Sequence, residues 1–177
     1  MTKYVAFLRG INVGKHRRIT MAELKRAFED AGYANVATYI ASGNVIFDAS
    51  GTDAGALTQE VEAQLGSALG YHVDVILRSA EEVRELVAAK PFAGVDAGDE
   101  IRLYVTFLSR LGNGASAVPR DAGGLRILRS SERTVFSVLD LRDTGTTDGM
   151  TVLEKAFGKR ITTRSWNVIE EITARYL

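Results

Sequence analysis

The run Leu8-Arg9-Gly10-Ile11-Asn12-Val13-Gly14-Lys15-His16-Arg17-Arg18 sets two glycines, one carboxamide and a dense group of cationic side chains between an apolar strand and a helix start. Backbone N–H groups opened by glycine turns, with arginine and lysine beside them, hold phosphates and carboxylates. Gly14-Lys15 after a strand invites comparison with the triphosphate-binding loop G-x-x-x-x-G-K-[ST]. The match fails on spacing: Gly10 stands one residue too close, His16 replaces Ser or Thr, and the helix cap waits until Thr20. What survives is a capacity to bind an anion through Arg9, Asn12, Lys15 and Arg17. Against it stands a structural reading, in which the glycines only serve a tight turn and Arg9 makes an ion pair.

Two further places carry polar groups that such a site needs. Ser42-Gly43-Asn44 marks a turn into a later strand, and an arginine after strand one with an asparagine beside strand three resembles the arrangement of acylphosphatases. In that arrangement the two side chains stabilise developing charge during acyl-phosphate hydrolysis or phosphoryl transfer. The surrounding acylphosphatase pattern is absent, and a turn role for Asn44 competes. Thr162-Thr163-Arg164-Ser165-Trp166-Asn167 is the second place, with the only tryptophan at the start of the last helix beside Arg164. Arg164 there can stack on an aromatic ring or meet an anion at a helix N-terminus, whereas Trp166 can equally anchor the helix to a core. His16 lies among cations that disfavour its protonation, but no carboxylate orients it as a base. His72 reads as structural. With no cysteine, no His-x-x-x-His and no G-x-S-x-G, the chain points to no cofactor, no metal site and no hydrolase triad.

The elements that position these residues follow from periodicity and caps. Tyr4–Leu8 is a buried strand, and Thr20-Met21-Ala22-Glu23 is a capping box opening a helix with Met21, Leu24 and Phe28 on its apolar stripe. Residues 36–40 and 44–47 form a hairpin, Leu57, Val61, Leu65 and Leu69 define a helix over 53–69, and residues 73–77 make a fourth strand. Strand, helix, strand, strand, helix, strand is the split β-α-β order of a ferredoxin-like unit, assigned to residues 1–78. Ser79-Ala80-Glu81-Glu82 is another capping box, and its helix stops at Lys90-Pro91. Beyond it lie a strand at 101–108, a loop through 111–124, a hairpin over 125–128 and 134–139, and helices at about 148–157 and 165–176. Residues 79–177 therefore form a second α+β subdomain, in which pattern alone reveals no repeat of the first. Both alternating sets of strand one are apolar, so both faces of that strand must be covered, with the second half as the candidate cover.

Charge is uneven although the 22 basic and 22 acidic residues cancel. Residues 1–26 hold seven Lys or Arg against Glu23 alone, whereas residues 27–77 hold seven acids and neither Lys nor Arg. Lys155, Lys159, Arg160 and Arg164 make a second basic cluster. Such segments attract an anionic small molecule or a nucleic-acid backbone, while a solvated, self-neutralised surface is the plainer alternative. Recognition on a bare sheet, as in RRM domains, is excluded by Asn44-Val45-Ile46-Phe47-Asp48, which carries one aromatic and ends in an acid. No signal-peptide core or membrane span is present, so the expected location is cytoplasmic. Apolar sheet faces and Trp166 leave a protein-interaction or oligomerisation module as a further alternative.

Three ordered blocks then carry a resemblance: Leu8–Gly14 with Met21 and Leu24; Thr38–Phe47; and Leu153-Glu154-Lys155 with Thr163–Asn167. Together they resemble the bacterial family called domain of unknown function 1697. That resemblance implies an α+β fold of two ferredoxin-like, or α/β-plait, subdomains with antiparallel sheets, and it implies no activity. The family usually has a second glycine where this chain has Lys15, and commonly glutamine where it has Ala41. The expectation is thus a binding module for a nucleotide, phosphometabolite or RNA backbone at loop 9–18, joined by Asn44, Arg164 and Trp166.

Overall fold

The computed structural model describes residues 1–12, 18–51, 53–109, 121–122, 124–143 and 149–177. They divide into two compact units, Met1–Glu85 with Arg175–Leu177, and Leu86–Ala174. The first unit runs β1 (Thr2–Leu8), α1 (Met21–Asp30), β2 (Ala34–Tyr39), β3 (Asn44–Ala49), α2 (Ala54–Leu69) and β4 (Val75–Ser79). Next comes α3 (Ala80–Ala88), within which the unit boundary falls. Its strands pair antiparallel in the order β2-β3-β1-β4, the ferredoxin-like topology.

Local chemistry sets these boundaries. Thr20 Oγ1 accepts the Glu23 N–H at 3.2 Å while the Glu23 carboxylate accepts the Thr20 N–H at 2.8 Å, so two donors at the start of α1 are satisfied reciprocally. Ser79 and Glu82 do the same for α3, at 3.1 and 2.7 Å. Asp53 caps α2, and Gly70 ends it in the left-handed conformation. On the helix side of the sheet, Tyr4, Ala6, Leu8 and Phe47 pack with Leu24 and Phe28 of α1 and Val61 and Leu65 of α2. Phe47 is central, with ring centroids 5.1 Å from Phe28 and 4.8 Å from Tyr33. Val5 and Phe7 on the opposite face are also fully buried, as the two apolar sets of that strand require.

The second unit contains β5 (Ile101–Leu108), the short β6 (Asp121–Ala122), β7 (Leu125–Ser130), β8 (Thr134–Asp140), α4 (Gly149–Phe157), β9 (Ile161–Ser165) and α5 (Trp166–Tyr176) up to Ala174, the last two residues of that helix falling in the first unit. Its sheet order is β6-β7-β8-β5-β9. Apart from the two-residue edge β6, this repeats the first sheet, with β7, β8, β5 and β9 in the places of β2, β3, β1 and β4. The repeat extends to single bonds. Leu8 N–H donates to Gly43 O at 2.8 Å and Leu108 N–H to Arg133 O at 2.9 Å; Val5 pairs with Arg78 and Val105 with Arg164. Strand β9 corrects the sequence reading, which placed no strand there. In Ile-Thr-Thr-Arg-Ser only Ile161 is strongly apolar, yet Thr162 and Arg164 are buried, so hydrophobic periodicity does not mark it. Most of the expected 111–124 loop lies outside the described residues.

Candidate functional site

The loop leaving β1 is pinned at both ends. Ile11 and Ile19 are buried in the first core, 4% and 6% exposed, and the Asn12 side chain ties the two ends together. Its Nδ2 donates to Ala41 O at 2.9 Å and its Oδ1 accepts the Ile19 N–H at 2.8 Å. Gly10 and Asn12 take left-handed backbone angles, φ +71° and +56°. Short polar Asn tolerates that conformation, and alternation of right- and left-handed residues turns successive N–H groups toward one side. Asn12 is therefore the clamp of the loop. Lys15, His16 and Arg17 lie outside the described residues.

Arg9 stands at the mouth of this loop. Its backbone N–H donates to Asp74 O at 2.9 Å, and its guanidinium Nη1 lies 3.9 Å from Asp74 Oδ2, with about a third of the side chain exposed. Asp74 Oδ1 also lies 3.2 Å from His72 Nε2, and Glu62 Oε1 accepts the Val75 N–H at 2.9 Å. Glu62, His72 and Asp74 offer ligand atoms within 4.8 Å of one another. With the Arg9 cation beside Asp74 and a Glu62 oxygen held by backbone, the set reads as an ion-pair network at the start of β4. Their separation in the sequence hides the cluster; only His72 and Asp74 are near neighbours.

At the far end of the loop Arg18 is exposed and lines, with Arg26, an open groove of about 350 Å³ that also meets Glu23, Asp30 and Tyr71. The Glu23 carboxylate is committed to Thr20, whose hydrogen bonds hold its pKa below the ordinary carboxylate range. Arg26 was not singled out from the sequence; the basic count of residues 1–26 is the signal that contains it.

The turn between β2 and β3 sits beside this loop, as Asn12–Ala41 and Leu8–Gly43 bonding requires. A Cβ on Gly43 would lie 2.5 Å from Ile11 Cδ1, so the loop packs directly onto the glycine. Asn44 is completely buried, and its Nδ2 donates to Tyr39 O at 2.9 Å and Ser42 Oγ at 3.1 Å. Its carboxamide closes the turn from inside, which is a different task from stabilising charge on a bound acyl phosphate.

Arg164 and Trp166 belong to the second unit. Arg164 is 7% exposed, and its Nη1 donates to Thr162 Oγ1 at 2.7 Å and Thr163 O at 2.9 Å. Burial lowers its pKa to about 10, so it stays charged at neutral pH. Trp166 is 6% exposed, in edge contact with Phe92 at 5.2 Å and Phe136 at 5.9 Å. Arg78 occupies the same place in the first unit, buried at the end of β4 with Nη1 donating to Leu77 O at 2.8 Å. The recurring Arg-Ser pair before a helix, at 78–79 and 164–165, is the sequence signal for it.

Among the described residues no helix is long and apolar enough to cross a membrane. The solved structure of the conserved bacterial protein SP0830 from Streptococcus pneumoniae is similar to this chain with a TM-score of 0.76 at 23% identity, over 98% of this chain and 97% of that one. Likeness at that identity speaks for the fold, and it extends across both units. A search of curated proteins finds no match. A family model described as protein of unknown function (DUF1697) matches residues 1–133, a stretch that takes in the pinned loop, the turn beside it and the whole βαββαβ unit. With that match over most of its length, the chain belongs to the DUF1697 family.

Proposed function

We propose that the protein is a binding module for a phosphate-bearing anion, held by the segment 9–18. The observation that carries this reading is the clamp: Asn12 bonds to Ile19 across a segment that holds Lys15, Arg17 and Arg18 without one acid, and Arg9 stands three residues before Asn12. Four cations within ten residues of sequence concentrate positive potential, and an anion relieves their mutual repulsion. Arg9 adds a partly exposed guanidinium beside the start of that segment. Arg26 extends the positive edge along the groove that Arg18 lines. Asn44, Arg164 and Trp166 play no part as ligand contacts in this reading, since each is buried in a turn or core.

A fluorescein-labelled single-stranded RNA and ATP as its competitor test the proposal by anisotropy at low salt. Binding is expected to fall steeply between about 50 and 200 mM salt. Arg9→Ala and Arg18→Ala are each expected to weaken it about tenfold, the size of one charge-assisted hydrogen bond. Arg102→Ala, in the second unit, should leave it unchanged. Absence of binding at low salt, or equal loss in all three variants, would overturn the reading.

A further inference from the structure

The two units repeat one sheet but fill it differently. In the first, Phe47 opposite Tyr4 and Leu77 opposite Ala6 close the helix-side core with α1. In the second, the same positions are Ser137 opposite Tyr104 and Thr163 opposite Thr106. A benzyl group and an isobutyl group are thus replaced by two hydroxyls, and a cavity of about 320 Å³ opens between the sheet and α4. Leu125, Leu139, Met150 and Leu153 form its apolar wall, with Ser137, Thr163 and Tyr104 at its polar side and no charged residue among the described residues of the lining.

The hydroxyls are not equivalent. Thr163 Oγ1 is 2.8 Å from Thr106 Oγ1, so those two satisfy one another. Ser137 is completely buried, and its Oγ has no hydrogen-bond partner among the described residues. A buried hydroxyl with no partner is costly and calls for a reason. Pockets of this size, mainly apolar with one or two aimed polar groups, are the usual form of a small-molecule site.

We propose that this cavity binds a small, uncharged, mainly apolar molecule bearing one carbonyl or similar acceptor, to which Ser137 Oγ donates. Charged ligands are disfavoured because none of the described lining residues would compensate their desolvation. The site is separate in chemistry from the anion-binding loop of the first unit, so either proposal can fail alone.

The test uses the full chain and two near-isosteric probes, acetophenone and ethylbenzene, which differ in the carbonyl. Of the three methionines, Met150 lines the cavity, so ¹³C-methyl NMR reads the site with Met1 and Met21 as internal controls. Acetophenone is expected to shift the Met150 methyl saturably and to bind about three- to tenfold more tightly than ethylbenzene, the worth of one neutral hydrogen bond. Ser137→Ala should erase that preference while keeping both probes bound, with a Tm equal to or above the parent. Ser137→Phe, which restores the residue type of the first unit, should abolish both. The proposal is overturned if Met150 shows no saturable shift, if all three methyls move alike, or if the ketone preference is missing or survives Ser137→Ala.

Discussion

Trp166→Ala will cost the second unit about 3–5 kcal/mol of stability, without weakening anion binding by the protein that remains folded. The indole is 6% exposed and closes a three-ring cluster in which Phe92 and Phe136 also meet edge to face, at 5.8 Å. Removing it leaves a void between two rings fixed by their own strand and loop, and loses aromatic pairs each worth about 0.5–1.5 kcal/mol. Urea unfolding followed by far-UV circular dichroism measures the loss, since the substitution deletes the fluorophore. A loss under about 1 kcal/mol would contradict the anchor role. So would a variant that is folded at the assay temperature yet fails to bind RNA, because Trp166 would then belong to the ligand site.

Gly43→Ala will destabilise the first unit by about 2–5 kcal/mol, combining the left-handed backbone penalty of about 1–2 kcal/mol with overpacking of about 1–3 kcal/mol. Gly43 has φ +79°, and the added Cβ would sit 2.5 Å from Ile11 Cδ1 and 3.0 Å from Leu8 Cβ. Relief requires Ile11 to move, and with it the clamp that Asn12 makes between Ala41 and Ile19. The expected result therefore includes weaker anion binding as well as a lower urea midpoint. A double-mutant cycle with Ile11→Ala isolates the contact: the pair should be less destabilising than the sum of the singles. Strict additivity would place the cost in the backbone alone.

Legibility in the sequence varied with the locality of the physics. Thr20 with Glu23 and Ser79 with Glu82 mark helix starts because a capping box is complete within four residues, and both are made as expected. The βαββαβ order of the first unit is equally local, since its helices and most of its strands alternate cleanly. Strand β9 is not, for its burial rests on Thr162 and Arg164, whose polar groups are satisfied by tertiary placement that no window of residues contains. Without β9 the second ferredoxin-like unit has no fourth main strand, which is why only the family resemblance supplied it. The internal repeat is nonetheless written in Tyr4-Val5-Ala6-Phe7-Leu8 and Tyr104-Val105-Thr106-Phe107-Leu108, and in the two Arg-Ser pairs.

The candidate site divides along the same line. That the loop after β1 and the turn before β3 are neighbours follows from topology, and Asn12 and Leu8 bond across that corner. Which way an amide faces does not follow from topology. Asn44 turns inward to Tyr39 and Ser42, and Asn12 spends its carboxamide on the clamp. Ser137 is the converse case: nothing about Thr-Val-Phe-Ser-Val-Leu-Asp distinguishes a buried, unpaired hydroxyl until the sheet is laid against its repeat.

The proposed site for a phosphate-bearing anion is the pinned basic loop of the first unit. Titration of ¹⁵N-labelled protein with inorganic pyrophosphate, read by amide chemical shifts at about 20 mM salt where screening is weak, tests it most directly. Saturable shifts are expected, centred on the N–H groups of Gly10, Ile11 and Asn12 and on Arg18, and lost on raising salt and in Arg9→Ala. Unchanged spectra, or saturable shifts centred on the second unit, would contradict it.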